Sequence, residues 1–239
     1  MARYLVKLGN NVTVVTSFPN FTIGVTTEKY KNKFLIKEKM KGINVIRTFI
    51  IPDTKSSSLR RLTNYFSFMF SSIIGGLSFK KYDIVYASSP HLFIGVSGYI
   101  LSRLYRAKFV FEVRDLWVDF AEGLGQFNNK FFLNLARKLE RFFYKKADLI
   151  ITVTNGFKDL LMDQGIPEEK IEVITNGTDV EIYKPGNDKK NLRERYGLQQ
   201  KFVILYAGNI GVAQGLDVVI DAADRLRNNK DIVFMLVGE

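Results

Sequence analysis

The sequence predicts an α/β fold, a doubly wound parallel sheet, on three observations. Short apolar runs recur along the chain with helical segments between them. The runs are nearly continuous in Val, Ile, Leu and Phe rather than alternating, as strands covered on both faces are. Between most of them lies enough chain for a helical crossover, which parallel neighbours need.

Taken in order, Ala2–Leu8 reads as a short amphipathic helix closed by Gly9, and it feeds the β-branched strand Val12–Thr16. Further strands are predicted at Val45–Ile51, Asp83–Ala87, Lys108–Val113, Leu149–Val153, Ile171–Ile174, Phe202–Ala207 and Ile232–Val237. Leu92–Tyr105, Lys130–Lys146, Asn155–Gln164 and Leu216–Asn228 have helical spacing, and Arg193–Tyr196 is a short charged helix. In Lys130–Lys146 the residues Phe132, Leu135, Leu139 and Phe142 fall on one stripe. Thr154 can cap the start of the next helix and Gly165 its end, with Pro167 just beyond.

Turn chemistry at Thr175–Asp179 and the polar run Pro185–Lys190 mark a boundary. The chain is expected to divide into a first domain over 1–180, a linker over 181–200 and the opening βαβ of a second domain over 201–239. It opens on a helix feeding a strand and closes just after an apolar strand, so both ends are expected to fall inside a fold.

Composition narrows the chemistry. There is no cysteine, hence no disulfide, thiolate metal site or Cys nucleophile, and the single histidine, His91, excludes a site needing two imidazoles. Lys and Arg outnumber Asp and Glu 35 to 24, a net charge of +11 that favours anionic partners. The densest run, Glu28–Lys41, suits either a solvated surface or a contact with phosphate or lipid. No zinc-finger, RNA-recognition or basic-zipper pattern is present, so nucleic acid is not an expected partner. Leu62–Phe79 carries no charge and many aromatics, but its serines and Gly75-Gly76 argue against a membrane span. It is either a core or groove-lining helix or an interfacial one, and flanking Arg60-Arg61 and Lys80-Lys81 suit the latter.

Candidate site residues collect where predicted strands end, since α/β sites sit at the carboxyl edge of the sheet. Arg114 and Asp115 follow Lys108–Val113 and could form a local salt bridge or part of a site. Ser88 and Ser89 follow Asp83–Ala87 and could cap the next helix; His91 beside them is either a loop or capping residue or a catalyst. Asn176-Gly177 is a strong turn former. Gly208, Asn209, Gly211 and Gln214 lie on a strand-to-helix turn, where backbone N–H groups can meet phosphate. The helix dipole alone contributes only about 0.3–1 kcal/mol there, and neither GxGxxG nor a P-loop is present.

An ordered set of segments carries a family resemblance. Ala147–Thr154, Lys170–Asp179 and Tyr183-Lys-Pro185 resemble the signature of family 4 glycosyltransferases, and Phe202–Gly211 with Gln214–Asp217 resembles the opening of that family's nucleotide-sugar domain. Phe111–Trp117 with Ser88-Ser-Pro90 resembles a subgroup containing O-antigen N-acetylfucosaminyltransferase-like proteins. The resemblance implies the GT-B architecture: two Rossmann-like domains, the first taking the acceptor and the second the nucleotide sugar.

It also implies retaining transfer from a UDP- or GDP-sugar without a bound metal or other cofactor, to an envelope polysaccharide or lipid-linked acceptor. The place implied is cytoplasmic, on the anionic inner face of the cell membrane. Arg114 and Asp115 would orient the acceptor, with Ser89 and His91 near it. Asn176 and Gly177 would shape the turn into the hinge, and Gly208, Asn209, Gly211 and Gln214 would border the donor phosphates. Arg114 stands where many members carry His, and Asn209 and Gln214 where many carry Arg and Lys. The strand and Gly-rich loop that open a family member are not seen before Ala2, and the paired glutamates that hold the donor would lie beyond Glu239. The chain by itself is therefore expected to be inactive. Two rivals remain: a non-catalytic Rossmann-like binding module, and an NAD-dependent nucleotide-sugar oxidoreductase or epimerase, whose GxGxxG and Tyr-x-x-x-Lys are not visible.

Overall fold

The computed structural model describes residues 1–19, 28–52, 58–78, 81–89, 92–123, 130–183 and 189–238. His91 lies outside the described residues. The chain forms two compact units, Met1–Asn176 and Gly177–Glu239.

The larger unit runs α1 (Ala2–Lys7), β1 (Thr13–Ser17), β2 (Leu35–Met40), β3 (Ile43–Thr48), α2 (Ser58–Gly76), β4 (Ile84–Ser88), α3 (Leu92–Tyr105), β5 (Lys108–Val113), α4 (Trp117–Gly123), α5 (Lys130–Lys146), β6 (Leu149–Thr152), α6 (Asn155–Asp163) and β7 (Ile171–Val173). Strands β4, β5, β6 and β7 form a parallel sheet in that order, and β1, β3 and β2 form a second sheet. The fold is the α/β, Rossmann-like arrangement expected, with two elements that the sequence does not predict, α4 and β2. β2 pairs antiparallel with β3, Met40 opposite Ile43. The two residues between them, Lys41 and Gly42, have φ of 50° and 81°. Positive φ at both central residues is the signature of the type I′ turn that closes a two-residue hairpin. The lysine-rich run 28–41 is therefore half strand. Its Glu38 carboxylate pairs with Lys29 at 2.7 Å and Arg47 at 2.9 Å, and these contacts, Lys29 first, hold its pKa down to about 2.

Helices α2 and α3 lie side by side and parallel. Tyr65 meets Phe93, Ser72 Oγ is 2.9 Å from Ser97 Oγ, and Tyr105 Oη donates to the Gly76 carbonyl at 3.2 Å. α2 packs on β1 and β3, while α3 packs on β4 and β5. A Cβ on Gly98 would stand 2.6 Å from the Ala87 Cβ, so α3 sits as close to β4 as a helix without a side chain there allows.

The core lies between the four-stranded sheet and helices α3, α5 and α6. Phe109, Phe111 and Val113 of β5 meet Phe143 and Tyr144 of α5, Ile150 of β6 and Leu161 of α6. Burying each such side chain contributes about 1.5–3 kcal/mol. α6 is bounded as its sequence predicts: the Phe157 N–H donates to Thr154 Oγ1 at 3.1 Å, and Gly165 takes φ 81°.

The stripe of α5 differs from Phe132, Leu135, Leu139 and Phe142. Leu133, Ala136, Phe143 and Tyr144 are the buried residues, Phe132 and Leu139 flank them, and Leu135 is exposed. Paired aromatics at each end allow two stripes a residue apart, and the one with the small Ala136 lets the helix approach the core. This register brings Glu140 to a partly buried position near Tyr144. Burial, with the Asp119 carboxylate adding to it, pushes its pKa from 4.5 up to about 7 against the pull of the Tyr144 hydroxyl and of Arg137 and Arg141.

The smaller unit contains α7 (Lys189–Arg195), β8 (Phe202–Ala207), α8 (Asp217–Arg225) and β9 (Ile232–Val237). β8 and β9 pair in parallel, Phe202 opposite Ile232 and Ala207 opposite Val237. Arg193 Nη1 donates to the carbonyls of Leu198 and Lys201, each at 3.0 Å, and so fixes the turn into β8.

Gly98→Ala is expected to destabilise the protein by about 1–2 kcal/mol net, overpacking against Ala87 outweighing the better helix propensity; urea titration measures it. A carboxyl whose folded pKa is raised contributes stability that is full below its unfolded pKa and is lost as pH rises through the folded one. For Glu140 the loss falls between about 4.5 and about 7. Glu140→Gln should therefore raise the melting temperature at pH 8 by several degrees and leave it nearly unchanged at pH 4, a difference that thermal melts at the two pH values detect.

Candidate active site

The carboxyl ends of β4 to β7 lie side by side because the sheet is parallel and in register. Ser88 is opposite Glu112, Val113 opposite Thr152, and Thr152 opposite Val173. The segment that leaves each strand therefore starts at one edge.

Three predicted site residues come into contact there. The Ser89 N–H donates to the Glu112 carbonyl at 2.9 Å, extending the β4–β5 ladder by one residue. The buried Ser89 hydroxyl accepts the Arg114 backbone N–H at 3.3 Å. The Arg114 guanidinium donates through Nη2 to Asn176 Oδ1 at 3.2 Å, across 62 residues of sequence. Arg114 and Asn176 are exposed at this edge, as is Asp115. The salt bridge that the Arg114-Asp115 sequence left open does not form among the described residues; Asn176, not Asp115, orients the guanidinium. Nor does Ser89 cap a helix through any described contact, since its hydroxyl serves the backbone of the next strand's exit.

Two neighbours were not singled out from the sequence. Glu112 lies on β5 two residues before Arg114, and Tyr86 lies on β4 opposite Val110, diagonal to Glu112. Burial first, and then the Glu112 carboxylate, raises the Tyr86 hydroxyl well above its ordinary pKa, so it stays a neutral donor. The available signal was a glutamate within the apolar run that follows Lys108, where an unpartnered carboxylate would be costly. The edge thus presents an oriented guanidinium, a carboxylate at Asp115 and the Asn176 amide, groups that can hydrogen-bond a sugar hydroxyl or meet a phosphate.

Gly177 falls in the smaller unit, and so do the other four predicted contacts. Gly208, Asn209, Gly211 and Gln214 lie on the exposed turn between β8 and α8. The Gly208 N–H donates to the Val237 carbonyl at 3.0 Å, Tyr206 Oη donates to the Asn209 carbonyl at 2.7 Å, and the Gln214 N–H donates to the Gly211 carbonyl at 3.1 Å. A short 3₁₀ turn, Val212–Gln214, comes first, Gly215 takes φ 57°, and α8 starts at Asp217, one residue into the predicted helix Leu216–Asn228. Among the described residues no three acidic, His or Cys side chains converge as a metal ion would need.

The family model for Glycosyltransferase Family 4 matches residues 1–182. The chain belongs to glycosyltransferase family 4. WcaI of Escherichia coli (strain K12), by name a colanic acid biosynthesis glycosyl transferase, is 28% identical over 247 residues, covering 100% of this chain and 60% of that protein. The alpha-D-kanosaminyltransferase of Streptomyces kanamyceticus is 27% identical over 109 residues, 44% of this chain and 28% of its own length. The chain thus spans at most three fifths of these two relatives. Among solved structures, HepE of Anabaena in complex with UDP-glucose superposes with a TM-score of 0.53 at 22% identity, over 71% of this chain and 43% of that one. That likeness is one of fold, the GT-B type.

Because the Arg114–Asn176 contact is exposed, Arg114→Ala and Asn176→Ala should each shift stability by no more than about 1 kcal/mol, measured by chemical denaturation. A larger loss would mean that the pair holds the sheet edge together and is not available to a ligand.

Proposed function

We propose that the enzyme to which this chain contributes is a retaining, hexosyltransferase-type glycosyltransferase that moves a sugar from a nucleotide sugar to an envelope polysaccharide or lipid-linked acceptor. The observation that carries this reading is the Arg114 guanidinium held by Asn176, beside Ser89, at the carboxyl edge of a family 4 sheet. Arg114 and Asp115 orient the acceptor hydroxyl. Gly208, Asn209, Gly211 and Gln214 border the donor phosphates. As the β-phosphate leaves, its growing charge is stabilised by such protein groups rather than by a metal.

The donor is UDP- or GDP-linked, and the UDP-glucose held by HepE favours UDP. The acceptor class agrees with the colanic acid for which WcaI is named. Within the family the reading places the chain with the O-antigen N-acetylfucosaminyltransferase-like subgroup, on Ser88-Ser-Pro90 and Phe111–Trp117. The enzyme works at the cytoplasmic face of the membrane, peripherally bound to anionic lipid.

The test is a thermal-shift screen of the complete enzyme against UDP-sugars, GDP-sugars and NAD, since a ligand that binds the folded state raises the melting temperature. A rise with one nucleotide-sugar series is expected and names the donor class. A rise with NAD alone would point to an oxidoreductase, and no response would leave a non-catalytic binding module. In the complete enzyme, Arg114→Ala should lower kcat/KM by about a hundredfold or more, the scale of losing one transition-state contact. Near-normal turnover would remove Arg114 from the site.

A further inference from the structure

Helix α2 turns several polar side chains inward and several large apolar ones outward. The side turned into the unit carries hydroxyls and an amide beside Leu62, Tyr65 and Met69. Asn64 Nδ2 donates to the Ile51 carbonyl at 2.6 Å, and the Ile51 N–H donates to Ser67 Oγ at 2.9 Å. Ser71 Oγ donates to the Phe49 carbonyl at 2.5 Å, and Ser72 Oγ pairs with Ser97 Oγ at 2.9 Å. The opposite side exposes Leu59 by 73%, Phe66 by 39%, Phe70 by 60%, Ile74 by 50% and Leu77 by 49%. Phe66, Phe70, Ile74 and Leu77 follow one another at helical spacing to just past the end of the helix, and the exposed Thr63 separates them from Leu59. A surface helix ordinarily faces its apolar stripe to the core and its polar side to water. A continuous exposed stripe of aromatic and aliphatic side chains marks a surface that meets another phase or molecule.

The charges around the stripe identify that phase. Neither α2 nor α3 contains an aspartate or glutamate. Arg60 and Arg61 stand at the first turn of α2, Arg103 and Arg106 at the end of the parallel α3, and Lys81 just past α2. Leu104, between those last cations in sequence, is itself exposed by 61%. No helix among the described residues is long and apolar enough to cross a membrane. We propose that α2 lies flat in the headgroup layer of an anionic bilayer, with Phe66, Phe70, Ile74 and Leu77 inserted among the acyl chains and the arginines at both ends against lipid phosphates. An apolar stripe with a net positive surround suits lipid of that charge: Asp148 stands beside Arg103 and Arg106, but these two with Lys108 outnumber it. The assignment rests on the reading of a membrane-bound transferase and gives it a surface.

Co-sedimentation of the 239-residue chain with vesicles tests it. The chain should bind phosphatidylcholine vesicles containing about a third phosphatidylglycerol, and bind pure phosphatidylcholine, or the mixture in high salt, about tenfold or more weakly. Phe66→Ser with Phe70→Glu should abolish binding to the mixture, while Arg60→Glu with Arg61→Glu should remove the preference for phosphatidylglycerol. Leu135→Ser, which removes an exposed apolar residue of α5, should leave both unchanged. Melting curves check that each variant is folded. No binding to the anionic vesicles, or binding that survives the Phe66/Phe70 pair, would overturn the assignment. So would a dimer in light scattering that Phe70→Glu dissolves, because the stripe would then be an interface between two copies. The assay contains no nucleotide sugar and no acceptor. A failure here therefore leaves donor binding by the complete enzyme to be judged separately, and a failure there leaves this surface standing.

Discussion

In the larger unit, placement of the site follows from the register of four parallel strands. Ser88 stands opposite Glu112, Val113 opposite Thr152 and Thr152 opposite Val173, so the strands end within a residue or two of one another. The ladder continues just past the ends: the Ser89 N–H bonds to Glu112 and the Ile174 N–H to Thr152. Parallel pairing gives every crossover the same polarity, and all the departing segments therefore gather at one edge. Only there can Arg114 reach Asn176. A slip of one residue in β5 would turn Phe109, Phe111 and Val113 out of the core and Glu112 into it, so hydrophobic burial is what holds the guanidinium at its place.

The same core explains the odd polarity of α2. The helix bridges β1 and β3 on one side and α3 on another, and its contacts are close: a Cβ on Gly75 would stand 2.6 Å from Thr48 Cγ2. Small residues allow that approach, and serine is small. Its hydroxyl then needs a partner, because a buried one left unpaired costs about 1–3 kcal/mol. The carbonyl of Phe49 beyond the end of β3, the side chain of Thr48 and the facing Ser97 supply partners. With the small polar residues drawn inward beside Tyr65 and Met69, Phe66, Phe70 and Ile74 are left on the outer side.

In the smaller unit, the turn after β8 is shaped by backbone rather than by charge. A Cβ on Gly238 would collide with the Gly208 carbonyl, so the exit of β9 presses directly against that turn. Gly215 supplies the left-handed residue that ends the 3₁₀ turn and lets α8 begin. No cationic side chain stands at Asn209 or Gln214. Any anion met here would be met by N–H groups and neutral side chains.

Local pattern was enough to locate most elements. Lys108–Val113, Phe202–Ala207, Leu92–Tyr105 and Lys130–Lys146 end where their composition says they should, because an apolar run and a 3.6-residue period are properties of short stretches. The capping of α6 by Thr154 and its close at Gly165 were legible for the same reason. β2 was not, since its alternation is masked by lysines and its hairpin depends on positive φ at Lys41, which no side-chain pattern announces. For the candidate site, the residue types and their strand ends could be read: Ser89, Arg114, Asn176. Their contact could not, nor could the part played by Glu112 and Tyr86, because these depend on which strands pair and in what register. By itself the sequence determined where helices and strands lie and which family the chain resembles. Only the tertiary structure decided which stripe of α5 turns inward, which side of α2 meets the outside, and that Arg114 is oriented by Asn176 rather than Asp115. Each of those is a choice between locally equivalent faces or partners, and it is packing against distant parts of the chain that separates them in energy.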